Sequence, residues 1–171
     1  MKRVLLTGMS GTGKSTLVNA LAARGFKAID LDTDEWSEWV PVAGVDPFGS
    51  PADQVLVWHN QDWVWREDRV SRLLALEDAD VLFVSGTASN QGKFHPHFDH
   101  IILLSAPARV LRERLASRTT NAYGKDPGEL ARILQHVETV EPLLRRAASL
   151  EIDTSTTLDH VLETVLDAAT T

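Results

Sequence analysis

The chain has 171 residues, with 17 Lys plus Arg against 24 Asp plus Glu, so its formal net charge is −7. Its apolar fraction of 43% and charged fraction of 24% are those of an ordinary globular domain, which argues against a disordered chain. The acidic balance argues against a nucleic-acid partner, because a non-specific binder needs a basic face. The sequence contains no cysteine, which excludes disulfides, thiol catalysis and Cys-ligated zinc.

No apolar stretch of the sequence approaches the roughly 20 residues that span a bilayer. The N-terminus is basic, but the apolar run at residues 4–6 is far too short for a signal peptide. The sequence shows no repeat, low-complexity tract or long linker. We therefore expect one cytoplasmic domain over residues 1–171, without a membrane partner.

Short apolar runs alternate along the chain with segments of helical periodicity. In chain order, we predict a strand at 4–6, a helix at 15–24, a strand at 27–31, a loop at 40–52, and a helix from a Ser-Pro cap at 50–51 to about residue 77. Further strands are predicted at 81–84, 100–104 and 150–152, with helices from 107 through 115, from 127 to an interruption at Pro142, and at 156–169. Strands that alternate with helices indicate an α/β fold, with a parallel sheet covered on both faces.

Residues 8–15 read G-M-S-G-T-G-K-S and match the phosphate-binding P-loop pattern G-x-x-x-x-G-K-[ST]. The glycines let backbone N–H groups turn toward phosphate oxygens, and the following helix directs its positive end at the same anion. Lys14 would reach the terminal phosphates and the Ser15 hydroxyl would bind Mg²⁺. The alternative, an ordinary glycine-rich turn, is disfavoured because the motif follows a strand and opens a helix. The predicted nucleotide-binding residues of this loop are Gly8, Gly11, Thr12, Gly13, Lys14, Ser15 and Thr16.

An acidic segment, I-D-L-D-T-D at residues 29–34, follows the second predicted strand. In a doubly wound sheet, the carboxyl ends of the strands line the ligand crevice. Paired carboxylates at that edge can hold Mg²⁺ through water and accept a proton from a hydroxyl nucleophile. The alternative is a solvated acidic turn, and the position of the segment in a P-loop protein favours the functional interpretation.

These motifs stand in the order found in the shikimate kinase-like group of small P-loop kinases, which includes gluconate kinases. The chain resembles that group over most of its length. The resemblance implies three layers around a five-stranded parallel sheet in the order 2-3-1-4-5, with ATP bound across the P-loop and Mg²⁺ as its metal. It also implies an acceptor-binding segment at about 35–78 and a short lid at about 118–127.

The same resemblance assigns three catalytic residues. Lys14 is one; of the two carboxylates, Asp32 would associate with Mg²⁺ and Asp34 would meet the acceptor hydroxyl. Arg66 stands where these kinases have an arginine that contacts an anionic substrate. Gly86 falls in the glycine turn after the third strand, which also borders the substrate.

Three further positions are assigned to the nucleotide by the resemblance. Arg118 begins the lid and would stack on adenine, whereas Lys125 would close over the transferred phosphate. Asp153 lies in the I-D-T segment at 152–154, which resembles the turn that borders adenine.

The chain departs from the group at one substrate contact. Val140 stands where shikimate kinases have a second substrate-binding arginine, so a carboxylate acceptor would lose one of its two cationic partners. We therefore do not expect shikimate itself as the acceptor. A GTPase is disfavoured because no N-K-x-D guanine signature occurs, and a mechanical ATPase because the third strand ends in Ser85 rather than in an acid.

All five tryptophans lie between residues 36 and 65, in the predicted acceptor segment. Aromatic faces suit a sugar ring, a nucleobase or another flat polar molecule, although some of these side chains are expected to pack in the core. Trp58 is a candidate acceptor contact. The expected function is ATP-dependent phosphoryl transfer to a hydroxyl or phosphate of a small molecule. The alternatives are a nucleoside or nucleotide kinase, and an ATP-binding regulatory protein without small-molecule kinase activity.

Overall fold

The computed structural model describes residues 1–41, the backbone of residues 57–58, and residues 61–119 and 122–171. Its strands are β1 Lys2–Thr7, β2 Lys27–Asp30, β3 Ser37–Pro41, β4 Val57–Trp58, β5 Gln61–Trp65, β6 Val81–Ser85, β7 His100–Ser105 and β8 Leu150–Asp153. Its helices are α1 Lys14–Ala23, α2 Glu67–Leu74, α3 Ala108–Ser117, α4 Pro127–Thr139, α5 Glu141–Ala147 and α6 Leu158–Thr170, with a 3₁₀ helix at Gln91–His97.

β1 lies at the centre of a five-stranded parallel sheet in the order β2–β6–β1–β7–β8. Numbered among these five strands alone, the order is 2-3-1-4-5, which confirms the expectation from the family resemblance. Val4, Leu5 and Leu6 of β1 are fully buried. Helices cover both faces of the sheet, so its central strand is apolar throughout rather than alternating.

Two apolar clusters hold the sheet between its helices. One lies under α1 and α6 and includes Leu17, Val18, Leu21, Val161, Leu162 and Val165. The other lies under α2 and includes Trp65, Val70, Leu73, Leu74 and Phe94. This packing places the carboxyl ends of β1, β2 and β6 at one edge of the sheet, where the P-loop and the acidic segment follow.

The predicted helix from residue 50 to residue 77 is wrong over most of its described part. Residues 57–58 and 61–65 form β4 and β5, and α2 begins only at Glu67. β3, β5 and β4 pair antiparallel in that order and form a separate three-stranded sheet, called the small sheet below. The helical interpretation failed because Q-D-W-V-W at 61–65 is rich in aromatic and β-branched residues, which favour strands.

The small sheet has two different faces, because side chains alternate along its strands. Trp39 of β3 pairs with Trp63 of β5 across one face. Glu38 pairs with Val64 across the opposite face. The two faces therefore present different chemistry, one aromatic and one partly charged.

Two predicted helix boundaries are present. The Asp126 carboxylate accepts hydrogen bonds from the backbone N–H groups of Gly128 at 2.9 Å and Glu129 at 3.3 Å, and so caps α4. The helical segment breaks between α4 and α5, next to Pro142, which lacks a backbone N–H.

Part of the sequence prediction lies outside the described residues, namely the helix cap at 50–53 and the loop over 42–52. Residues 40 and 41, which the prediction included in that loop, belong instead to β3. Within the described ranges, no helix is long and apolar enough to cross a bilayer.

Candidate active site

Residues 8–13 form the turn between β1 and α1, and the shape of this turn depends on glycine. Gly11 and Gly13 have φ angles of +87° and +95°, in the left-handed region that side chains disfavour. A Cβ on Gly8 would lie 2.3 Å from the carbonyl oxygen of Leu104, so the turn closely approaches β7 there. The turn leads into the N-terminus of α1, where backbone N–H groups are available to an anion.

This loop lines a cavity of about 720 Å³, called the phosphate cleft below. The P-loop residues predicted to bind nucleotide all line it, namely Gly8, Gly11, Thr12, Gly13, Lys14, Ser15 and Thr16. Its other walls include Asp32, Trp39, Trp63, Thr87, Arg114, Arg118, Tyr123, Arg132 and His136. The cleft therefore joins the P-loop to the acidic segment, the aromatic face of the small sheet, the lid and α4.

Lys14, the first residue of α1, folds back over the loop. Its Nζ donates to the carbonyl oxygens of Gly8 at 2.6 Å and Met9 at 3.2 Å. Burial lowers the pKa of Lys14, while the negative charges of Asp32 and Asp30 act in the opposite direction. The loop thus holds a cation within electrostatic reach of two carboxylates.

Asp30, the last residue of β2, is hydrogen-bonded to the P-loop. Ser15 Oγ donates to Asp30 Oδ2 at 2.6 Å. The other carboxylate oxygen accepts from the backbone N–H of Asp32 at 2.9 Å and from Ser85 Oγ at 3.3 Å. A hydroxyl and a carboxylate oxygen in contact are the hard oxygen ligands that Mg²⁺ prefers, so the pair fits a magnesium ion that also contacts nucleotide phosphates.

Asp32 is part of the described wall of the phosphate cleft, whereas Asp30 is not, and the two carboxylates have different partners. Its Oδ1 accepts from the backbone N–H of Thr87 at 3.1 Å and from Trp63 Nε1 at 3.5 Å. Burial raises the pKa of Asp32 to about 6; the charge of Lys14 opposes this effect and that of Asp30 adds to it. A carboxylate with a pKa this close to neutrality is suited to proton transfer.

An aromatic pair stands beside Asp32. The rings of Trp39 and Trp63 lie 5.0 Å apart between centroids and are tilted by 55°. Trp39 is 42% exposed, which is high for so large an apolar side chain. The Arg132 guanidinium of α4 lies 5.9 Å from the centroid of the Trp39 ring, so the pair is bordered by a cation on the lid side.

A family model described as an AAA domain matches residues 4–135. The chain belongs to this AAA domain family of P-loop proteins. No curated protein matches its sequence.

Solved structures similar to this AAA-family domain include small-molecule kinases. A shikimate kinase from Bacteroides thetaiotaomicron is 19% identical, with a TM-score of 0.62 over 99% of both chains. A gluconokinase from Sinorhizobium meliloti 1021 is 19% identical, with a TM-score of 0.61 over 99% of this chain and 91% of that chain. A shikimate kinase from Acinetobacter baumannii, in complex with shikimate, is 15% identical, with a TM-score of 0.60 over 98% of this chain and 94% of that chain. The domain thus has the P-loop kinase fold that its sequence resembles.

The structure does not place Asp34 where the sequence interpretation put it. Asp34 is exposed, and the described wall of the phosphate cleft contains Asp32 but not Asp34. The carboxylates beside the P-loop are instead Asp30, which is bonded to Ser15, and Asp32, which lines the cleft. The physical reason is that β2 ends at Asp30, so Asp30 and Asp32 are the carboxylates at the carboxyl edge of the sheet.

Arg66 also lies away from the phosphate cleft. Its guanidinium forms an ion pair with Glu38 at 2.8 Å and donates to the carbonyl oxygen of Asp34 at 3.2 Å. Both Arg66 and Glu38 line a second cavity of about 870 Å³, on the charged face of the small sheet. The small sheet therefore separates Arg66 from the P-loop.

Of the two other candidate substrate contacts, Gly86 and Trp58, the structure describes the surroundings of Gly86 only. Gly86 is close to the predicted acceptor site, because a Cβ there would lie 3.1 Å from Asp32 Oδ1 and 3.2 Å from Trp65 Nε1. A side chain at position 86 would thus fill the space beside the carboxylate. The backbone of Trp58 belongs to β4, but its side chain lies outside the described residues.

The lid places one of its two predicted cations in the cleft. Arg118 lines the phosphate cleft and donates to the carbonyl oxygen of Tyr123. Lys125 is exposed and is not part of the described cleft wall. Arg132 of α4 is 8% exposed and donates to the Tyr123 hydroxyl at 2.7 Å, so a different cation stands behind the lid.

The end of β8 contributes Thr154 rather than Asp153 to the cleft. The Asp153 carboxylate is exposed and accepts from Ser155, whereas Thr154 is buried and donates to the carbonyl oxygen of Thr12 at 2.8 Å. Arg114 of α3 donates to Thr154 Oγ1 at 2.9 Å and to the carbonyl oxygen of Gly11 at 3.2 Å. This arrangement ties β8 and α3 to the P-loop.

The sequence interpretation did not single out Asp30, which lies beside the P-loop, or the cleft residues Thr87, Arg114 and Arg132, and among the tryptophans it named Trp58 rather than Trp39 and Trp63. Asp30 stands in the same acidic segment and could have been identified if the end of β2 had been known. Thr87 directly follows the predicted glycine turn. Arg114 and Arg132 carry no comparable signal, because single arginines within amphipathic helices are ordinary surface residues.

Proposed function

We propose that this domain transfers the terminal phosphoryl group of ATP to a hydroxyl group of a small molecule. The observation that carries the proposal is the position of Asp32, a partly buried carboxylate in the phosphate cleft beside Lys14. Phosphoryl transfer depends mainly on positioning and on charge stabilisation, with one residue to receive the proton of the attacking hydroxyl. In this proposal Asp32 receives that proton and Lys14 offsets the charge of the phosphates.

The P-loop N–H groups and Lys14 would bind the phosphates of the nucleotide. Ser15 and Asp30 would hold Mg²⁺, whose chemical contribution when bound is to neutralise charge on the phosphate oxygens. Arg114 and Thr154 border the other end of the cleft, and the lid residue Arg118 offers a planar cation on which an adenine ring can stack.

The acceptor would lie between Asp32 and the Trp39–Trp63 pair. Shikimate is not expected, because Val140 is 2% exposed and packs against Met9, Leu103 and Leu144 rather than bordering the cleft. Arg66, the other cation expected to contact a carboxylate, is engaged by Glu38 behind the small sheet. Both features support an acceptor that does not require the carboxylate contacts of shikimate.

The test is ADP formation from Mg·ATP with a panel of sugars, cyclitols and nucleosides as acceptors. Asp32→Asn keeps the shape of the side chain but removes the proton acceptor, so acceptor-dependent turnover should fall by roughly 10²–10⁴. Asp34→Asn is the matched control, since this exposed carboxylate is two residues away, and its turnover should stay within about twofold of wild type. A large loss in Asp34→Asn with little effect of Asp32→Asn would contradict the assignment.

The alternative function is an ATP-binding regulatory protein that retains the kinase fold. It shares the nucleotide site but needs no proton acceptor. That alternative would be favoured if wild type binds Mg·ATP tightly but forms no ADP with any acceptor, and if Asp32→Asn leaves the affinity for Mg·ATP unchanged.

A further inference from the structure

Two threonine hydroxyls stand behind the carbonyl groups that hold Lys14. The carbonyl oxygen of Gly8 accepts from Lys14 Nζ at 2.6 Å and also from Thr87 Oγ1 at 2.7 Å. The carbonyl oxygen of Met9 accepts from Lys14 Nζ at 3.2 Å and also from Thr12 Oγ1 at 2.8 Å. Each carbonyl thus has a second donor that does not depend on the lysine.

Lys14 has too few N–H donors to bond both carbonyls and two phosphate oxygens at once. An ammonium group has three N–H donors, and two of those on Lys14 bond the carbonyls of Gly8 and Met9. A lysine that bridges two phosphate oxygens uses two donors, so at least one of these carbonyls must then lose its lysine bond. A buried carbonyl left unpaired is unfavourable, and that penalty would oppose nucleotide binding.

Water could replace the lost bond only from the phosphate cleft, which Gly8 and Met9 line and which the bound nucleotide would occupy. Thr12 is fully buried and Thr87 is 8% exposed, so the carbonyls they contact are covered by protein on that side. A buried hydroxyl that already donates to the carbonyl can maintain its pairing without any rearrangement.

We propose that Thr87 and Thr12 are positioning residues that release Lys14 for the phosphates of the nucleotide. Each hydroxyl keeps one carbonyl hydrogen-bonded when the ammonium group turns toward phosphate. The inference rests on the proposed nucleotide-binding function and adds to it two side chains whose role is exerted through Lys14.

Thr87 is the more informative of the two residues. Its backbone N–H donates to Asp32 Oδ1 at 3.1 Å. Thr87 therefore contacts both the carbonyl oxygen of Gly8 and the carboxylate proposed to receive the proton. The carbonyl of Met9 has a further donor in the backbone N–H of Thr12 at 3.3 Å. We therefore expect loss of the Thr87 hydroxyl to have the larger effect.

The test is a double-mutant cycle on ADP affinity, measured by titration calorimetry on the purified full chain. The four proteins are wild type, Thr87→Val, Lys14→Met and the double variant. Thr87→Val keeps the shape and the backbone N–H, and should weaken ADP binding about tenfold, which corresponds to about 1.4 kcal/mol. In the Lys14→Met background the same change should alter ADP affinity less than twofold, because there is no ammonium group to release.

Two controls separate positioning from a general structural effect. Thr87→Ser retains the hydroxyl and should restore ADP affinity to within twofold of wild type. Thr7→Val removes another fully buried hydroxyl, which contacts Thr87 and Gln91 but neither carbonyl that holds Lys14, and should change ADP affinity less than twofold. If Thr87→Val does not fold, the same cycle with Thr12→Val should show a smaller coupling of the same sign.

The outcomes distinguish the two proposals. A wild-type protein that does not bind ADP would refute the proposed function together with this inference. Normal ADP binding by wild type, with an equal effect of Thr87→Val in both lysine backgrounds or with no effect in either, would overturn the inference and leave the proposed function intact.

Discussion

Asp32→Asn should make the protein more stable at neutral pH even as it removes activity. The folded structure withdraws this carboxylate from water and so raises its pKa to about 6, above the ordinary value near 3.8. Keeping the group ionised in the fold is therefore unfavourable relative to the unfolded chain. An asparagine retains an oxygen to accept from Thr87 and Trp63 but carries no charge to desolvate.

The size and pH dependence of the stability gain in Asp32→Asn follow from the folded and unfolded pKa values of Asp32. Well below pH 3.8 the carboxyl group is protonated in both the folded and the unfolded chain, so its ionisation contributes no difference. As the pH rises toward 6 the unfolded chain ionises first, and wild type loses stability relative to the variant. Above pH 6 the full difference is reached, with an upper limit of about 3 kcal/mol from 1.36 kcal/mol per tenfold change in proton affinity.

Urea denaturation of both proteins at several pH values between 4.5 and 7.5 measures this difference directly. We expect the variant to gain about 1–3 kcal/mol at pH 7.5 and about a third of that gain at pH 4.5. Asp34→Asn, at an exposed position, should change stability by less than about 0.5 kcal/mol. Destabilisation by Asp32→Asn at pH 7.5, or a stability gain that does not vary with pH, would refute the view that Asp32 is a desolvated carboxylate.

Three further outcomes are expected. Lys14→Ala should lower kcat by roughly 10²–10³, while Lys125→Ala, which removes an exposed lysine of the lid, should change kcat less than twofold; steady-state kinetics on folded protein would show equal losses if the assignment were wrong. Gly8→Ala should destabilise the domain by about 1–3 kcal/mol in thermal unfolding, because the added methyl group meets the carbonyl oxygen of Leu104, and a Tm equal to wild type would contradict this. ATP should bind more tightly than GTP in the presence of Mg²⁺, since Arg118 can stack on adenine and no guanine signature is present, and the reverse order of dissociation constants would count against the kinase interpretation.

The parallel sheet and the P-loop were predictable because their sequence signals are local and have a single physical meaning. A strand buried on both faces must be apolar throughout, as residues 4–6 are, and a loop that turns several N–H groups inward needs glycine at fixed positions. The strand order came from the family resemblance, since no property of an isolated strand identifies its neighbour.

The errors arose where two signals of similar strength competed. The helix predicted from the Ser-Pro pair at 50–51, which lies outside the described residues, was extended over residues 61–65, where alternating aromatic residues form a strand that pairs with β3. The sequence does not show which two of the three carboxylates lie beside the P-loop, because D-L-D and D-T-D overlap at Asp32. Only the observed end of β2 distinguishes them.

In the proposed kinase, the small sheet offers a means of changing the acceptor with little change to the core. Trp39 and Trp63 face the phosphate cleft, whereas their strand neighbours Glu38 and Val64 face away from it, so substitutions at alternate positions affect separate surfaces. The apolar clusters under α1, α2 and α6 are built mainly on other elements. In the proposed kinase, acceptor preference can therefore diverge through substitutions at alternating positions. A library at residue 39, which unlike Trp63 packs against none of the apolar clusters of the described residues, would sample new acceptors while the P-loop and the parallel sheet remain as they are.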